Sequence, residues 1–222
     1  MEKELTYKEI RKNKEINTLL ERGNEVLGSL GYTDHSAAHA AKVADTAGQI
    51  LEKLGYSSRE AELSRIAGYM HDIGNSVNRC DHAHTGAVLG WQILRELGMP
   101  LKETAVIMSA VGNHDEKTGT AVDPISAALI LADKTDVRRN RVRNKVKASF
   151  DAHDRVNYAV LSSSLVIQKE KKVIQMELEL DDSMCSVMDY FEIFLERMLM
   201  CRRAAEVLGC RFKLTANGSK LC

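Results

Sequence analysis

The sequence has few aromatic residues and few of the residues that interrupt helices. Aromatic residues make up 5% of its 222 residues, and there are 14 glycines and 2 prolines. Alanine, leucine, glutamate, lysine and methionine, which favour helices, are plentiful. This composition argues against an all-β sandwich and predicts a mainly α-helical chain that can bury a core.

The chain also lacks an excess of charge of either sign. Its 31 basic residues equal its 31 acidic residues, so the formal net charge is +0 at pH 7. Binding to nucleic acid or to an anionic membrane through bulk charge is therefore not expected, and any basic surface must be local. No run approaches the ~20 apolar residues that span a bilayer, and the N-terminal residues mix Glu and Lys. We expect a cytoplasmic protein that does not enter membranes.

Closely spaced cysteine pairs are absent as well. The cysteines are scattered and form no Cys-x-x-Cys motif: Cys80, Cys185, Cys201, Cys210 and Cys222. An odd, widely spaced set is typical of reduced thiols rather than of a disulfide framework or of structural zinc on cysteines. This pattern also favours the cytoplasm.

The first part of the chain carries apolar residues at helical spacing. Cap and stop signals divide it, among them Gly31, Gly55, a capping box over residues 57–60, and Asp123 followed by Pro124. The predicted helices cover residues 1–30, 35–54, 57–74, 85–97, 100–113 and 123–133.

After the basic run Arg138–Lys145 the pattern changes. Alternation of apolar and polar residues then predicts a β-hairpin, which is followed by a long apolar helix and a short strand. These elements cover residues 158–180, 184–208 and 211–216. We therefore predict a helical domain over residues 1–155 and a small α+β module of unknown role over residues 156–222.

Histidine and aspartate are concentrated where the predicted helices begin and end. All but one of the 7 histidines lie within residues 35–114. Imidazole and carboxylate groups that converge from separate elements can hold a metal ion. The candidate ligands are His39, His71, Asp72, His82, His114 and Asp133. Adjacent helical residues point about 100° apart, so His71 and Asp72 can serve one site only at its edge, where Asp72 is free to bridge two ions.

Short phrases surround these candidate ligands. They are His39-Ala-Ala-Lys-Val43, Met70-His71-Asp72-Ile73-Gly74, His82-Ala-His84-Thr-Gly86-Ala87, Val111-Gly-Asn-His114 and Leu131-Ala132-Asp133. Together they resemble the motifs of the HD-domain superfamily of metal-dependent phosphohydrolases, over residues 30–145. The resemblance implies a mainly α fold, an HD-domain helical bundle.

The resemblance also implies a metal centre and a hydrolytic activity. The ligands of one ion would be His39, His71, Asp72 and Asp133. His82 and His114 match the additional ligands of two-metal members, in which Asp72 would bridge and be the catalytic carboxylate. The implied reaction is hydrolysis of a phosphate ester or anhydride, in a nucleotide or another small phosphorylated compound, by a metal-activated water. Mixed nitrogen and oxygen ligation suits one or two ions of Fe, Mn, Co, Ni or Zn.

The predicted substrate contacts depart from the family pattern at one position. Several branches carry Lys after His-Asp-Ile-Gly, where this chain has Asn75. Asn75 can donate a hydrogen bond but adds no charge, so phosphate binding is expected chiefly of Arg79, Arg138 and Arg139. A solvated charged face is the alternative for the arginines of the basic run.

Three further residues are candidates for positions behind the ligands: His35, His84 and Asp115. His35 lies one turn before His39, but a solvent-exposed helix N-cap is the favoured alternative. His84 is expected at the rim of the site. Asp115, with Glu116 next to it, either orients a ligand or is simply solvated.

Two other functions are compatible with the same motifs. One is a sensor that binds metal and nucleotide without turnover and signals through the C-terminal module, and the other is a di-iron oxygenase. The predicted hairpin and apolar helix are as compatible with a homodimer as with a wall of the substrate pocket. We expect a small phosphorylated partner, a nucleotide by preference, and not a nucleic acid.

Overall fold

The computed structural model describes residues 2–221, and these are mainly α-helical. The α-helices that precede the sheet are α1 (Tyr7–Ile10), α2 (Lys14–Ser29), α3 (Ala37–Leu54), α4 (Ser58–Met70), α5 (His82–Glu96), α6 (Leu101–Gly112), α7 (Pro124–Lys134) and α8 (Ala152–Ala159). The predicted capping box starts α4, and Asp123 with Pro124 starts α7. Within residues 2–221, no helix combines the length and the apolar character that crossing a membrane requires.

The extent predicted for the N-terminal helix, residues 1–30, is wrong. Thr6 forms a capping box with Glu9 at the start of α1. Asn13 Oδ1 accepts a hydrogen bond of 3.0 Å from the Ile16 backbone at the start of α2. Because an N-cap residue has extended backbone, the chain leaves the helical conformation before Asn13 and forms two helices.

The centre of the helical part is formed by α3, α4 and α7. Every residue from Ile125 to Ala132 of α7 is buried. Gly68 of α4 lies against the backbone of α3, where an added Cβ would be 2.7 Å from Ala44 Cα. This close approach brings His39, near the start of α3, beside His71, at the end of α4.

The C-terminal segment forms a small sheet with a crossover helix. Its strands are β1 (Val160–Gln168), β2 (Val173–Leu180), β3 (Arg211–Ala216) and β4 (Ser219–Lys220), in the order β1-β2-β3-β4. β1 and β2 are the predicted antiparallel hairpin, and α9 (Val187–Val207) crosses over so that β3 runs parallel to β2. The prediction of a mainly α protein with a small α+β segment is confirmed.

β4 was not predicted. It pairs antiparallel with β3 after a turn at Asn217 and Gly218, whose φ angles are 48° and 77°. Asn-Gly is the dipeptide that such a tight hairpin favours, because both residues tolerate a positive φ. The signal was therefore present in the sequence.

The predicted boundary near residue 155 falls inside α8, which leads directly into β1. α9 packs against α7 as well as against β3. The two predicted domains thus share a helix and an interface, and the division into residues 1–155 and 156–222 stays a prediction.

Candidate metal centre

The six predicted ligands converge from the ends of separate helices. His39 lies in the first turn of α3, His71 caps α4 and is followed by Asp72, His82 begins α5, His114 follows α6, and Asp133 lies in the last turn of α7. Five of them are buried, and the side chain of Asp133 is 13% exposed. The cluster therefore lies in the interior, and Asp133 is its most accessible member.

The first group of donor atoms comes from His39, His71, Asp72 and Asp133. Nε2 of His39 lies 3.4 Å from Asp133 Oδ1 and 3.9 Å from Asp72 Oδ2. Nε2 of His71 lies 3.6 Å from Asp133 Oδ1 and 3.2 Å from Asp72 Oδ2. Donor atoms at these separations can share one ion at the ~2.0–2.2 Å typical of nitrogen and oxygen ligands.

The second group comes from Asp72, His82 and His114. Nε2 of His82 lies 3.1 Å from His114 Nε2. Asp72 Oδ1 lies 3.6 Å from His82 Nε2 and 3.9 Å from His114 Nε2. The two carboxylate oxygens of Asp72 therefore face different groups, which is the arrangement that can bridge two ions.

Each histidine is oriented through its Nδ1 atom. For His71, His82 and His114 the partners are the carbonyl oxygens of Gly68 (2.7 Å), Arg79 (3.1 Å) and Val111 (2.6 Å). For His39 the partner is Asp136 Oδ2, at 2.8 Å. A proton on Nδ1 satisfies each of these bonds, and the Nε2 atom of each ring is directed into the cluster.

The donor atoms of the first group fit a metal ion rather than a hydrogen-bond network. Nε2 of His39, Nε2 of His71 and Oδ2 of Asp72 are buried and have no hydrogen-bond partner among the described residues. Leaving such polar atoms unpaired is costly, and coordination to a cation would satisfy all three at once. Imidazole nitrogen and carboxylate oxygen together are a ligand set for a divalent transition metal.

A glycine places the second group against the first. An added Cβ on Gly74 would lie 2.0 Å from the carbonyl oxygen of His82 and 2.5 Å from the backbone nitrogen of Gly86. The turn after Asp72 can approach α5 this closely only without a side chain. The glycines of the sequence motifs thus set the distance between Asp72 and His82.

The charge states of four of the six ligands, Asp72, Asp133, His82 and His114, suit metal binding. Burial is the largest influence on Asp72 and raises its pKa, but the imidazoles around it, His71 first, outweigh burial and hold the pKa well below its usual range. Burial also raises the pKa of Asp133, but the adjacent Lys134 outweighs burial and holds this pKa well below its usual range. Burial lowers the pKa of His82 and of His114, so both are neutral at pH 7, the form that binds metals.

A carboxylate that sequence analysis missed, Asp136, holds His39 in place. Its side chain is 1% exposed and is surrounded by Lys42 Nζ (3.1 Å), Arg138 Nε (2.7 Å) and Arg141 Nη1 (3.6 Å). Burial opposes ionisation of Asp136, but the hydrogen bond to His39 and these cations hold its pKa far below the usual range. The available signal was its position three residues after Asp133.

A second set of residues links the centre to α9, and two of its members, Lys134 and Arg197, were missed by sequence analysis. Lys134 Nζ lies 2.7 Å from Asp133 Oδ2 and 2.9 Å from Glu116 Oε2. Arg197 of α9 reaches Glu116 Oε1 with Nη2 at 3.3 Å. Burial would lower the pKa of Lys134, but the two carboxylates outweigh it and raise the pKa, so the ammonium stays charged. Lys134 thereby holds the outer oxygen of Asp133 and leaves Oδ1 facing the first group.

The predicted substrate contacts separate into two places. Asn75 and Arg79 lie at the cluster: Asn75 Nδ2 donates to Asp72 Oδ1 at 2.7 Å, and Arg79 Nη1 lies 3.2 Å from His82 Nε2. Arg138 lies behind His39, on Asp136. Arg139 is directed toward the C-terminal segment, where it donates to the Tyr158 carbonyl at 2.6 Å and pairs with an aspartate of the loop after β2.

The three predicted supporting residues also differ in position. His35 is half-buried, and its ring centroid lies 5.5 Å from that of His39. The N-cap of α3 is Ser36, the residue that follows His35, and the role of His35 stays a prediction. His84 is exposed, and its Nδ1 lies 3.8 Å from Asp81 Oδ1, while its place at the rim stays a prediction. Asp115 is half-buried, and its charge acts to raise the pKa of His82 against burial.

The sequence was compared with protein families and with the sequences of other proteins. The HD domain family model matches residues 37–156. A protein of Methanocaldococcus jannaschii, described as uncharacterized protein MJ1020, is 31% identical over 80% of this chain and 77% of its own length.

Proteins named ribonuclease Y are also similar. The one from Oceanobacillus iheyensis is 29% identical over 55% of this chain, and the one from Thermotoga maritima is 25% identical over 75% of this chain. These matches span 24% and 33% of the two ribonucleases, so the similarity covers a minor part of their length. The match of the family model to more than half of the chain, together with the archaeal relative, shows that the chain belongs to the HD-domain family.

Proposed function

We propose that the chain is a metal-dependent phosphohydrolase whose centre holds two divalent transition-metal ions. The observation that carries the proposal is the division of the Asp72 carboxylate, whose Oδ2 faces His39 and His71 while Oδ1 faces His82 and His114. A carboxylate shared between two sets of imidazoles suits a two-metal hydrolase. Family membership and the ribonuclease Y relatives support a phosphate ester or anhydride as the bond cleaved.

The ligand assignment follows the two groups of donor atoms. From the distances between donor atoms, the first ion is assigned to His39, His71, Asp72 and Asp133, and the second to Asp72, His82 and His114. The mixed nitrogen and oxygen set suits Fe, Mn, Co, Ni or Zn. Bound divalent ions supply Lewis acidity and make hydroxide available near neutral pH.

The chain itself contributes a fixed ligand geometry. Asn75 holds Asp72 through one oxygen, Lys134 holds Asp133, and Asp136 holds His39. These contacts exist before any substrate arrives, so little reorganisation accompanies the reaction. The buried ligands also restrict the entry of bulk water.

Arg79 is the residue we assign to the substrate phosphate. It is half-buried and directs Nη1 to within 3.2 Å of His82 Nε2, at the second group. A guanidinium in this position can form charge-assisted hydrogen bonds to phosphoryl oxygens. Arg138 and Arg139 are engaged with carboxylates elsewhere, so their predicted phosphate contacts carry less weight.

Hydrolysis of simple phosphate esters tests the proposal. The full chain, loaded with Mn²⁺, is incubated with p-nitrophenyl phosphate and with bis(p-nitrophenyl) phosphate. We expect release of p-nitrophenol that EDTA stops and added Mn²⁺ restores. His82→Ala should lower kcat/KM at least ~100-fold, because it removes a ligand of the second ion.

The matched control is His84→Ala. His84 lies on the same helix, but its side chain is 57% exposed and is paired with Asp81 rather than with the cluster. It should retain wild-type activity. Hydrolysis that is insensitive to EDTA, or that is equally fast in the His82 and His84 variants, would contradict the proposal.

A further inference from the structure

One aromatic side chain is exposed next to the metal centre. Within residues 2–221, Tyr32 is the aromatic residue that stays largely exposed, at 44%, whereas the other tyrosines, the phenylalanines and Trp91 are buried or half-buried. Burying an aromatic ring is strongly favourable, so one left in solvent beside a functional centre is available for a ligand.

Arg79 lies between the Tyr32 ring and the second group of ligands. Its Cζ is 5.5 Å from the centroid of the ring, and its Nη1 is 3.2 Å from His82 Nε2. The ring is therefore one guanidinium group away from the place where a phosphoryl group would bind. A ligand that extends from this phosphate toward solvent meets the ring next.

The backbone around Tyr32 is held in place. Gly31 has a φ of 83°, and the Tyr32 backbone nitrogen donates to the Leu27 carbonyl at 2.9 Å. The Tyr32 carbonyl accepts a hydrogen bond of 3.0 Å from Arg143 Nε. The exposure of the ring thus belongs to an ordered turn, and binding to it requires little ordering of the chain.

The loops on either side of Arg79 add further apolar surface. Leu30 precedes Tyr32 and is 59% exposed, and Val77 precedes Arg79 and is 64% exposed. Exposed aliphatic side chains therefore lie two residues before Tyr32 and two residues before Arg79 along the chain. A free sugar phosphate would use the cation but leave this apolar surface unoccupied.

We propose that Tyr32 and Arg79 form a binding site for the nucleoside part of a small nucleotide, with the base stacked on Tyr32 and the phosphate beside Arg79. This proposal rests on the proposed hydrolase function for the role of the phosphate. Every nucleobase has a π-face that can stack on an aromatic ring, so stacking does not depend on the base's pattern of hydrogen-bond donors and acceptors.

Size and charge favour a mononucleotide over a nucleic acid strand. The ligands of the centre are buried, and the most accessible of them, Asp133, is 13% exposed. The formal net charge of +0 offers no general attraction for a polyanion. A small nucleotide can direct its phosphate inward and keep its base at the rim.

Adenosine tests the nucleoside site without metal or turnover, because it carries no phosphate. In metal-free full-length protein, NMR titration with adenosine should shift the Tyr32 ring signals. Tyr32→Ala should weaken adenosine binding about 5- to 100-fold, the range of base–aromatic stacking, while Tyr32→Phe should stay within about 2-fold of wild type. Val88→Ala, at a position that is 69% exposed on α5, is the control and should bind adenosine normally.

Kinetics with two phosphates complete the test. For the Mn²⁺-loaded protein, Tyr32→Ala should lower kcat/KM for adenosine 5′-monophosphate by the same factor and leave that for ribose 5-phosphate unchanged. An equal loss for both substrates would overturn the proposal, since Tyr32 would then only position Arg79. Tyr32-dependent binding of a short single-stranded RNA, with no binding of adenosine or its monophosphate, would also overturn it. If adenosine binds through Tyr32 but neither adenosine 5′-monophosphate nor ribose 5-phosphate is hydrolysed, the result supports the nucleoside site and contradicts the hydrolase function.

Discussion

At the scale of single residues, the orientation of Asp72 decides what the centre can hold. A carboxylate can bridge only if its plane is fixed so that each oxygen faces its own set of ligands. The Asn75 amide supplies that constraint, because it donates to Asp72 Oδ1 at 2.7 Å and is itself 1% exposed. We therefore propose that Asn75 orients Asp72 in the metal centre and does not contact the substrate phosphate.

Replacing Asn75 should weaken metal binding. We expect Asn75→Ala to lower the affinity for Mn²⁺ about 10- to 100-fold, the usual effect of removing a hydrogen bond that orients a ligand. Competition with a chromophoric chelator measures this affinity. Asn140→Ala, at an exposed position in the loop after α7, is the control. Equal affinities of the two variants would exclude the orienting role of Asn75.

At the scale of elements, the contact between the turn after Asp72 and α5 sets the spacing of the two groups of ligands. Gly74 makes this contact, because its Cα faces the carbonyl of His82 with no room for a methyl group. Gly90, farther along α5, is different: an added Cβ there would lie 3.5 Å from Met70 Cε, an ordinary contact with a flexible side chain.

These two glycines give a matched pair of substitutions. Gly74→Ala should lower the free energy of unfolding by about 3 kcal/mol, because backbone atoms must move apart. Gly90→Ala should change it by less than about 1 kcal/mol, since helix propensity offsets any crowding. Urea denaturation of the metal-free proteins measures both. Similar losses in the two variants would show that the close approach at Gly74 has no special cost.

The other interface at this scale joins α9 to the helical part. Arg197 pairs with Glu116 at 3.3 Å, and both side chains are more than three-quarters buried, at 23% and 22% exposure. On the same helix, Asp189 pairs with Arg155 at 3.9 Å, where the exposures are 35% and 50%. The Arg197–Glu116 pair is shielded from solvent, and Glu116 also pairs with Lys134. The Asp189–Arg155 pair is more exposed, so solvent screens it.

A double-mutant cycle separates the two pairs. Arg197→Met combined with Glu116→Gln should show a coupling of about 1 kcal/mol in the free energy of unfolding. Arg155→Met combined with Asp189→Asn should show less than about 0.5 kcal/mol. If the two couplings are equally small, α9 is not held to the centre through Glu116.

At the scale of the whole molecule, the centre makes stability depend on pH. The pKa values of Asp72, Asp133, Asp136 and Glu116 are held below their usual range by neighbouring cations and imidazoles against the effect of burial. Burial lowers the pKa values of His35, His82 and His114. A group whose folded pKa is depressed stabilises the protein above its unfolded pKa, and that stability is lost as the pH falls.

His71 has the opposite sign. Burial lowers its pKa, but Asp72 and Asp133 outweigh burial and raise the pKa to about 10. Its contribution is complete below its unfolded pKa of about 6.5 and is lost as the pH rises toward 10.

The metal-free protein should therefore be most stable near pH 6.5 to 7. Below this range the free energy of unfolding should fall steeply, first through the histidines and then, below about pH 4, through the carboxylates. Above it, the loss should be shallower, at most about 1.4 kcal/mol per pH unit for the single proton of His71. Urea denaturation from pH 4 to 9 measures the profile. A stability that is constant between pH 5 and 7 would contradict this account of the buried histidines.

The helical fold and the convergence of the six candidate ligands could be predicted because both depend on local patterns. The His71-Asp72 turn, Gly74 and the helix ends are each visible within a few residues. Asp136 and Arg197 were missed, because their roles depend on pairs that are distant along the chain. The basic run after Asp133 predicted cations near the centre, but it could not show that Arg139 is directed toward Tyr158 instead.

The measurement that tests the central claim most directly is the metal content of freshly purified protein, in the wild type and in His82→Ala. The two groups of donor atoms around Asp72 predict two transition-metal ions per chain in the wild type and about one in the variant. One ion per chain in both proteins would contradict the two-metal centre and leave His82 outside the metal site.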